Sequence, residues 1–170
     1  MNREQLEHIL RASAAITNER DFVVVGSQSL LAAVPHLPPP LNQSMELDLY
    51  PLSKPEMANL IDGTIGELSP FDEAFGCYAH GVAPETAILP AGWRNRVIIV
   101  ESENTGGARG LCIGPSDLAV SKLAAGREKD LIFVGGMLKE RIVSKEAILG
   151  LLQEVDSSTR DLIQQRLARL

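Results

Sequence analysis

Aromatic residues make up only 4% of this 170-residue chain, with a single tryptophan. Stacked aromatic side chains are what hold the bases of single strands, so the sequence encodes no evident stacking platform. Basic residues are outnumbered, 16 Lys and Arg against 22 Asp and Glu, for a net charge of −6 and a pI near 5.1. That balance argues against a surface wrapped broadly around DNA, while a small nucleotide or a local contact with RNA stays compatible with it. Cysteine is scarce too. Cys77 and Cys112 lack metal-type spacing and are expected to be reduced core residues. The opening MNREQLEHIL has no apolar signal-peptide core, and no apolar run nears the roughly 20 residues that span a bilayer. The expectation is a cytoplasmic protein with no membrane contact.

What is present is an ordinary globular balance, 45% hydrophobic and 22% charged, in a length suited to one domain. Leu6, Ile9, Leu10 and Ile16 fall close to one face of a helix over residues 3–17, and Asn2 with Gln5 resembles a capping box. The run DFVVVG reads as a buried strand, followed by a helix that begins at Ser27 and is stopped by PHLPPPL. MELDLY is a second strand, with Met45, Leu47 and Leu49 on one face and Glu46, Asp48 and Tyr50 on the other. KPEMANLIDGTIGEL suggests a helix broken by Gly63 and Gly66, FGCYAHGV a third strand and RVIIVES a fourth. NTGGARG reads as a flexible turn. After LCIG the periodicity predicts helices over 115–126, 127–139, 144–155 and 157–169. The expected class is α/β (α+β), a small mixed sheet flanked by helices. A single domain of residues 1–170 then divides into an α/β core, 1–112, and a helical part, 113–170.

Two short stretches carry chemistry. GSQSLL lacks the second glycine of a dinucleotide fingerprint and the Lys-Ser/Thr of a P-loop, so neither motif applies. What remains is Gly26-Ser27 at a strand-to-helix junction, where glycine lets a phosphate approach the backbone and the Ser27 hydroxyl can donate. An ordinary turn and N-cap explain the same pair. Glu46 and Asp48 share one face of a strand and repel each other. A divalent cation such as Mg²⁺ relieves that repulsion while keeping waters for substrate phosphates, and a solvated strand face is the alternative. Lone His8 reads as solvated, and Trp93 as a core plug.

Taken together, VVVGSQSLLAA and MELDLY resemble the nucleotidyltransferase superfamily, whose signature is strand, Gly-Ser, helix, loop, then a strand with two acids one residue apart. GPSDLAVSKLAAGREKDLIFVGGML is similar to the helical block of small bacterial nucleotidyltransferase-like proteins related to abortive-infection (toxin–antitoxin) toxins. Its pattern falls on Asp117, Leu118, Lys122, Leu123, Ala125, Arg127, Lys129 and Asp130. The resemblance spans most of residues 20–140 and implies a minimal nucleotidyltransferase fold. It implies catalytic roles for Glu46, Asp48, Lys122 and Asp130, and nucleotide binding by Gly26, Ser27 and Lys122. It implies Mg²⁺ (or Mn²⁺) as cofactor, a nucleoside triphosphate as substrate, and a hydroxyl of RNA, protein or a small molecule as acceptor. From the residues alone, Asp117 complements a helix N-terminus, and Arg127, Lys129 and Asp130 form a surface salt-bridge set of little energetic weight.

Several departures from the family pattern stand out. Where relatives place a third carboxylate, FGCYAHGV offers His80, with Glu101 at the end of RVIIVE as the competing third ligand. Imidazole suits zinc better than magnesium. No arginine precedes the acid pair in LNQSME, and PHLPPPL lengthens the Ser27–Glu46 gap. The metal set is therefore Glu46, Asp48 and His80, and the alternative function is a catalytically lapsed nucleotide-binding or interaction module, one half of a toxin–antitoxin-type pair. The amphipathic last helix is compatible with a homodimer or a partner protein.

Overall fold

The computed structural model describes residues 1–170. Helix α1 (Arg3–Thr17) is fixed at its start by the Asn2–Gln5 capping box and stopped by Asn18 in the left-handed conformation. Its Leu6, Ile9 and Leu10 are fully buried. Strand β1 (Asp21–Val24) carries Phe22, Val23 and Val24 into the core. It runs antiparallel to β2 (Glu46–Pro51), and β2 runs parallel to β3 (Tyr78–Gly81). On its other side β1 pairs in parallel with β5 (Arg109–Cys112), which is antiparallel to β4 (Ile98–Val100). The result is one five-stranded mixed sheet in the order β3-β2-β1-β5-β4. The fold class is α/β in the α+β sense, as the alternation of patterns predicts.

The segment after β1 differs from the expected α-helix. Ser27–Ala32 is a six-residue 3-10 helix whose N-cap, Gly26, has φ +69°. Its backbone ends within two turns, so it offers little of the aligned dipole of a full helix. Two further elements lie outside the sequence reading. Strand β5 begins in the stretch read as turn and runs on into LCIG, and Gly110 gives it no side chain to register an alternation. A side chain there would press on α1, since a Cβ would lie 2.8 Å from Leu10 Cδ1 and the leucine would have to shift. Helix α2 (Ala58–Ile65) passes through Gly63 and ends at Gly66, and a short α3 (Pro70–Phe75) follows, capped by Ser69. His8 is consequently half-buried rather than freely solvated. Its ring lies 4.9 Å from Phe71 and 4.3 Å from Phe75, both on α3.

Helices α4 (Pro115–Ala125), α5 (Glu128–Lys139), α6 (Lys145–Leu151) and α7 (Ser157–Leu167) form the C-terminal part. Helix α4 is their centre, touching the other three, and it meets the sheet half at the 3-10 helix Ser27–Ala32. Arg166 of α7 donates to the carbonyls of Leu123 and Ala124, closing the C-terminal end of α4. Cys77 and Cys112 are free thiols, both fully buried. Trp93 is half-buried against the core, with the Arg94 guanidinium over its ring. No helix is long and apolar enough to cross a membrane.

Candidate active site

A cavity of about 560 Å³ opens where the sheet half meets α4 and α5. Gly26, Ser27, Glu46, Asp48, His80, Lys122 and Asp130 all line it. Residues separated by more than a hundred positions in the chain thus share one space.

The acidic wall follows from strand register. Leu47 and Leu49 are driven into the core, so alternation turns Glu46 and Asp48 to the opposite face. Parallel pairing sets Glu46 beside Tyr78 and Asp48 beside His80 on β3. His80 Nδ1 lies 2.8 Å from Asp48 Oδ1, and the Tyr78 hydroxyl donates a long hydrogen bond, 3.4 Å, to Glu46 Oε2. Burial pushes the Asp48 carboxyl above its ordinary range, and the partly compensating contact with His80 does not cancel this. Burial and the charges of Glu46 and Glu67 push the Tyr78 phenol up to about 12, so it remains a donor at neutral pH.

Ligand atoms of Glu46, Asp48 and His80 lie within 4.8 Å of one another, close enough to share one cation. Gly26 keeps this ground clear, since a Cβ on it would collide with Asp48 Oδ2. The residues present therefore fit a divalent ion: two carboxylates and an imidazole, beside a backbone position that admits no side chain. Glu101, the competing third ligand, is not part of the set. It closes β4 two strands beyond β1 and pairs with Arg20 at 2.8 Å on the exposed sheet edge.

The opposite wall is basic. Lys122 of α4 reaches Asp130 Oδ1 at 3.2 Å and lies over the Phe133 ring, 4.5 Å from its centroid. Arg127 holds Asp130 Oδ2 at 2.6 Å. Asp130 is fully buried, so this is no surface salt-bridge set as the spacing suggested, and Lys129 takes no part in it. Burial alone would raise the Asp130 carboxyl, but Arg127 and Lys122 override it and hold the group below its usual range. Asp117 does not line the cavity. It is buried at the start of α4 and receives Arg96 through Nε and Nη2, while the same guanidinium also pairs with Glu154.

Sequence reasoning missed some of the lining and its support. Tyr78, which does not line the cavity but donates to Glu46, stands two residues before His80, and the same alternation that pairs Glu46 with Asp48 would have found it. Gln43, Ser44, Ser121, Ile132 and Phe133 also line the cavity, placed there by tertiary packing alone.

A cavity with paired acids on one wall and tethered cations on the other suits a polyphosphate with a bound cation. No curated protein and no solved structure matches the chain. Residues 4–165 do match a family described as nucleotidyltransferase of unknown function (DUF6036), which covers both walls of the cavity, and the chain belongs to that nucleotidyltransferase family.

Proposed function

We propose that the protein binds a nucleoside triphosphate together with a divalent cation, Mg²⁺ or Mn²⁺ by family resemblance, and transfers the nucleotidyl group to a hydroxyl. The observation that carries the proposal is the opposition of the Glu46–Asp48–His80 wall to the Lys122–Arg127 wall across one cavity. Glu46, Asp48 and His80 would hold the ion, which when bound supplies charge stabilisation at the α-phosphate and the leaving oxygen. Gly26 lets the triphosphate approach the backbone, and the Ser27 hydroxyl donates to it. Lys122, steadied by Asp130 and Phe133, balances charge on the departing pyrophosphate. The acceptor hydroxyl loses its proton to solvent as its oxygen bonds to the α-phosphorus, and the bond from that phosphorus to the bridging oxygen of the leaving pyrophosphate breaks in line. An RNA, a protein side chain or a small molecule can present that hydroxyl.

Two observations favour a second reading, a nucleotide-binding module without turnover, of the kind found as one member of a toxin–antitoxin-type pair. His80 replaces a third carboxylate, and both cations of the opposite wall are already engaged by Asp130. The two readings separate in one pair of measurements. Calorimetry with each triphosphate and a divalent cation is expected to show binding by the native chain and none by Asp48→Ala. Transfer of α-³²P-labelled nucleotide to cellular RNA or protein then marks the active enzyme. Absence of heat with every triphosphate would sink both, and equal heat from Asp48→Ala would sink the first.

A further inference from the structure

We infer that His80 makes this cation site selective for first-row transition ions over Mg²⁺. The inference rests on the proposed metal site and narrows which ion it takes.

The donor set is the first ground. Two carboxylates and one imidazole converge, with ligand atoms inside 4.8 Å. Mg²⁺ prefers oxygen ligands and is bound mainly through charge. Exchanging an anionic carboxylate for a neutral imidazole removes one unit of that attraction. Transition cations recover the loss, because imidazole is a good ligand for Fe²⁺, Co²⁺, Ni²⁺ and Zn²⁺.

Geometry is the second ground. Two ligands at right angles on one ion, each about 2.1 Å from it, stand about 3.0 Å apart. His80 Nδ1 and Asp48 Oδ1 are 2.8 Å apart in a direct hydrogen bond, which a shared ion replaces with only a small separation of the two atoms. The ring is held in that relation by the backbone, since Asp48 and His80 are direct partners in the parallel β2–β3 ladder. Its side chain is half exposed toward the cavity, so an ion reaches it without the sheet opening. The other two histidines do not compete. His8 is stacked against α3, and His36 does not line the cavity.

The test uses the whole chain without nucleotide, titrated calorimetrically with Mg²⁺, Mn²⁺ and Co²⁺. Affinity is expected to rise in that order. His80→Ala is expected to weaken Co²⁺ by at least about tenfold while changing Mg²⁺ far less. His80→Asp, which restores an anionic ligand at a half-exposed position, is expected to strengthen Mg²⁺ and narrow the Co²⁺-to-Mg²⁺ ratio. Pulsed EPR of the Mn²⁺-loaded chain supplies a direct readout, an imidazole nitrogen coupling that His80→Ala abolishes. A Mn²⁺ signal without nitrogen coupling, or a Co²⁺-to-Mg²⁺ ratio unmoved by either variant, overturns the inference and leaves the metal site standing. No binding of any of the three ions overturns both.

Discussion

Gly26 and Asp48 compete for the same space: a Cβ on Gly26 would collide with Asp48 Oδ2. The glycine, two residues past β1, caps the 3-10 helix with φ +69°, and the acid projects from the middle of β2. The Gly-Ser and Glu-Leu-Asp stretches, twenty residues apart in sequence, are thereby halves of one packing unit. A side chain at position 26 can be accommodated only by moving the carboxylate.

Gly26→Ala is therefore expected to act twice. Gly26 has φ +69° and ψ −173°, a backbone region essentially reserved for glycine, which costs about 1–3 kcal/mol for any side chain, visible as a lower midpoint in urea unfolding. Displacement of Asp48 is expected to weaken divalent-cation binding at the same time, measured by calorimetry. Cation affinity equal to that of the native chain would show that Asp48 and Gly26 are not coupled.

Asp48 opposes stability where it is ionised. Its folded pKa is raised, with burial the first cause, so its contribution is fully present below the ordinary carboxylate pKa, about 3.9, and is lost as pH rises through the folded value. Asp48→Asn should then raise Tm at pH 7 without divalent cation, and the gain should vanish below about pH 4. Added Co²⁺ or Mn²⁺ should raise the Tm of the native chain only, since the variant has lost a ligand. A Tm at pH 7 below that of the native chain would contradict this.

Asp130 behaves oppositely. Lys122 and Arg127 hold its pKa down despite burial, so its stabilisation is present above about pH 3.9 and disappears as pH falls through the lower folded value. Asp130→Ala strands Lys122 and is expected to cost about 3 kcal/mol at neutral pH. Arg127→Ala, at a largely exposed side chain, should cost much less. Urea unfolding of the two variants between pH 3 and pH 7 checks both the order and the acid dependence.

Asp117 matches the family pattern but sits under Arg96, outside the cavity lining. Removing it leaves the guanidinium with Glu154 alone. Asp117→Ala is expected to destabilise by about 3 kcal/mol while cation binding stays unchanged. Urea unfolding measures the first effect and Co²⁺ titration the second. Loss of binding in a folded Asp117→Ala chain would assign the residue to the site instead.

The acid pair could be read from sequence because strand alternation is a local property: leucines at 47 and 49 dictate where 46 and 48 face. Lys122 and Asp130 came from resemblance to a helical block, and the structure adds that Asp130 is buried between two cations rather than exposed among them. Strand β5 escaped because Gly110 gives no side-chain pattern and is explained only by Leu10 pressing on it from α1. His8 escaped for the same kind of reason, as its aromatic partners lie on α3, more than sixty residues away. The choice between His80 and Glu101 was open in the sequence, since either could end a strand near the acids.

By itself the sequence determined the periodic elements, the two-acid face of β2 and the glycine before Ser27, because each depends on residues within a few positions of one another. Tertiary structure decided the rest. The parallel register of β2 and β3 chose His80 over Glu101, and the docking of α4 against the 3-10 helix brought Lys122 across from Asp48. Those choices depend on which strands pair and which helix packs where, and such long-range contacts are set by burial of the whole core rather than by any local run of residues.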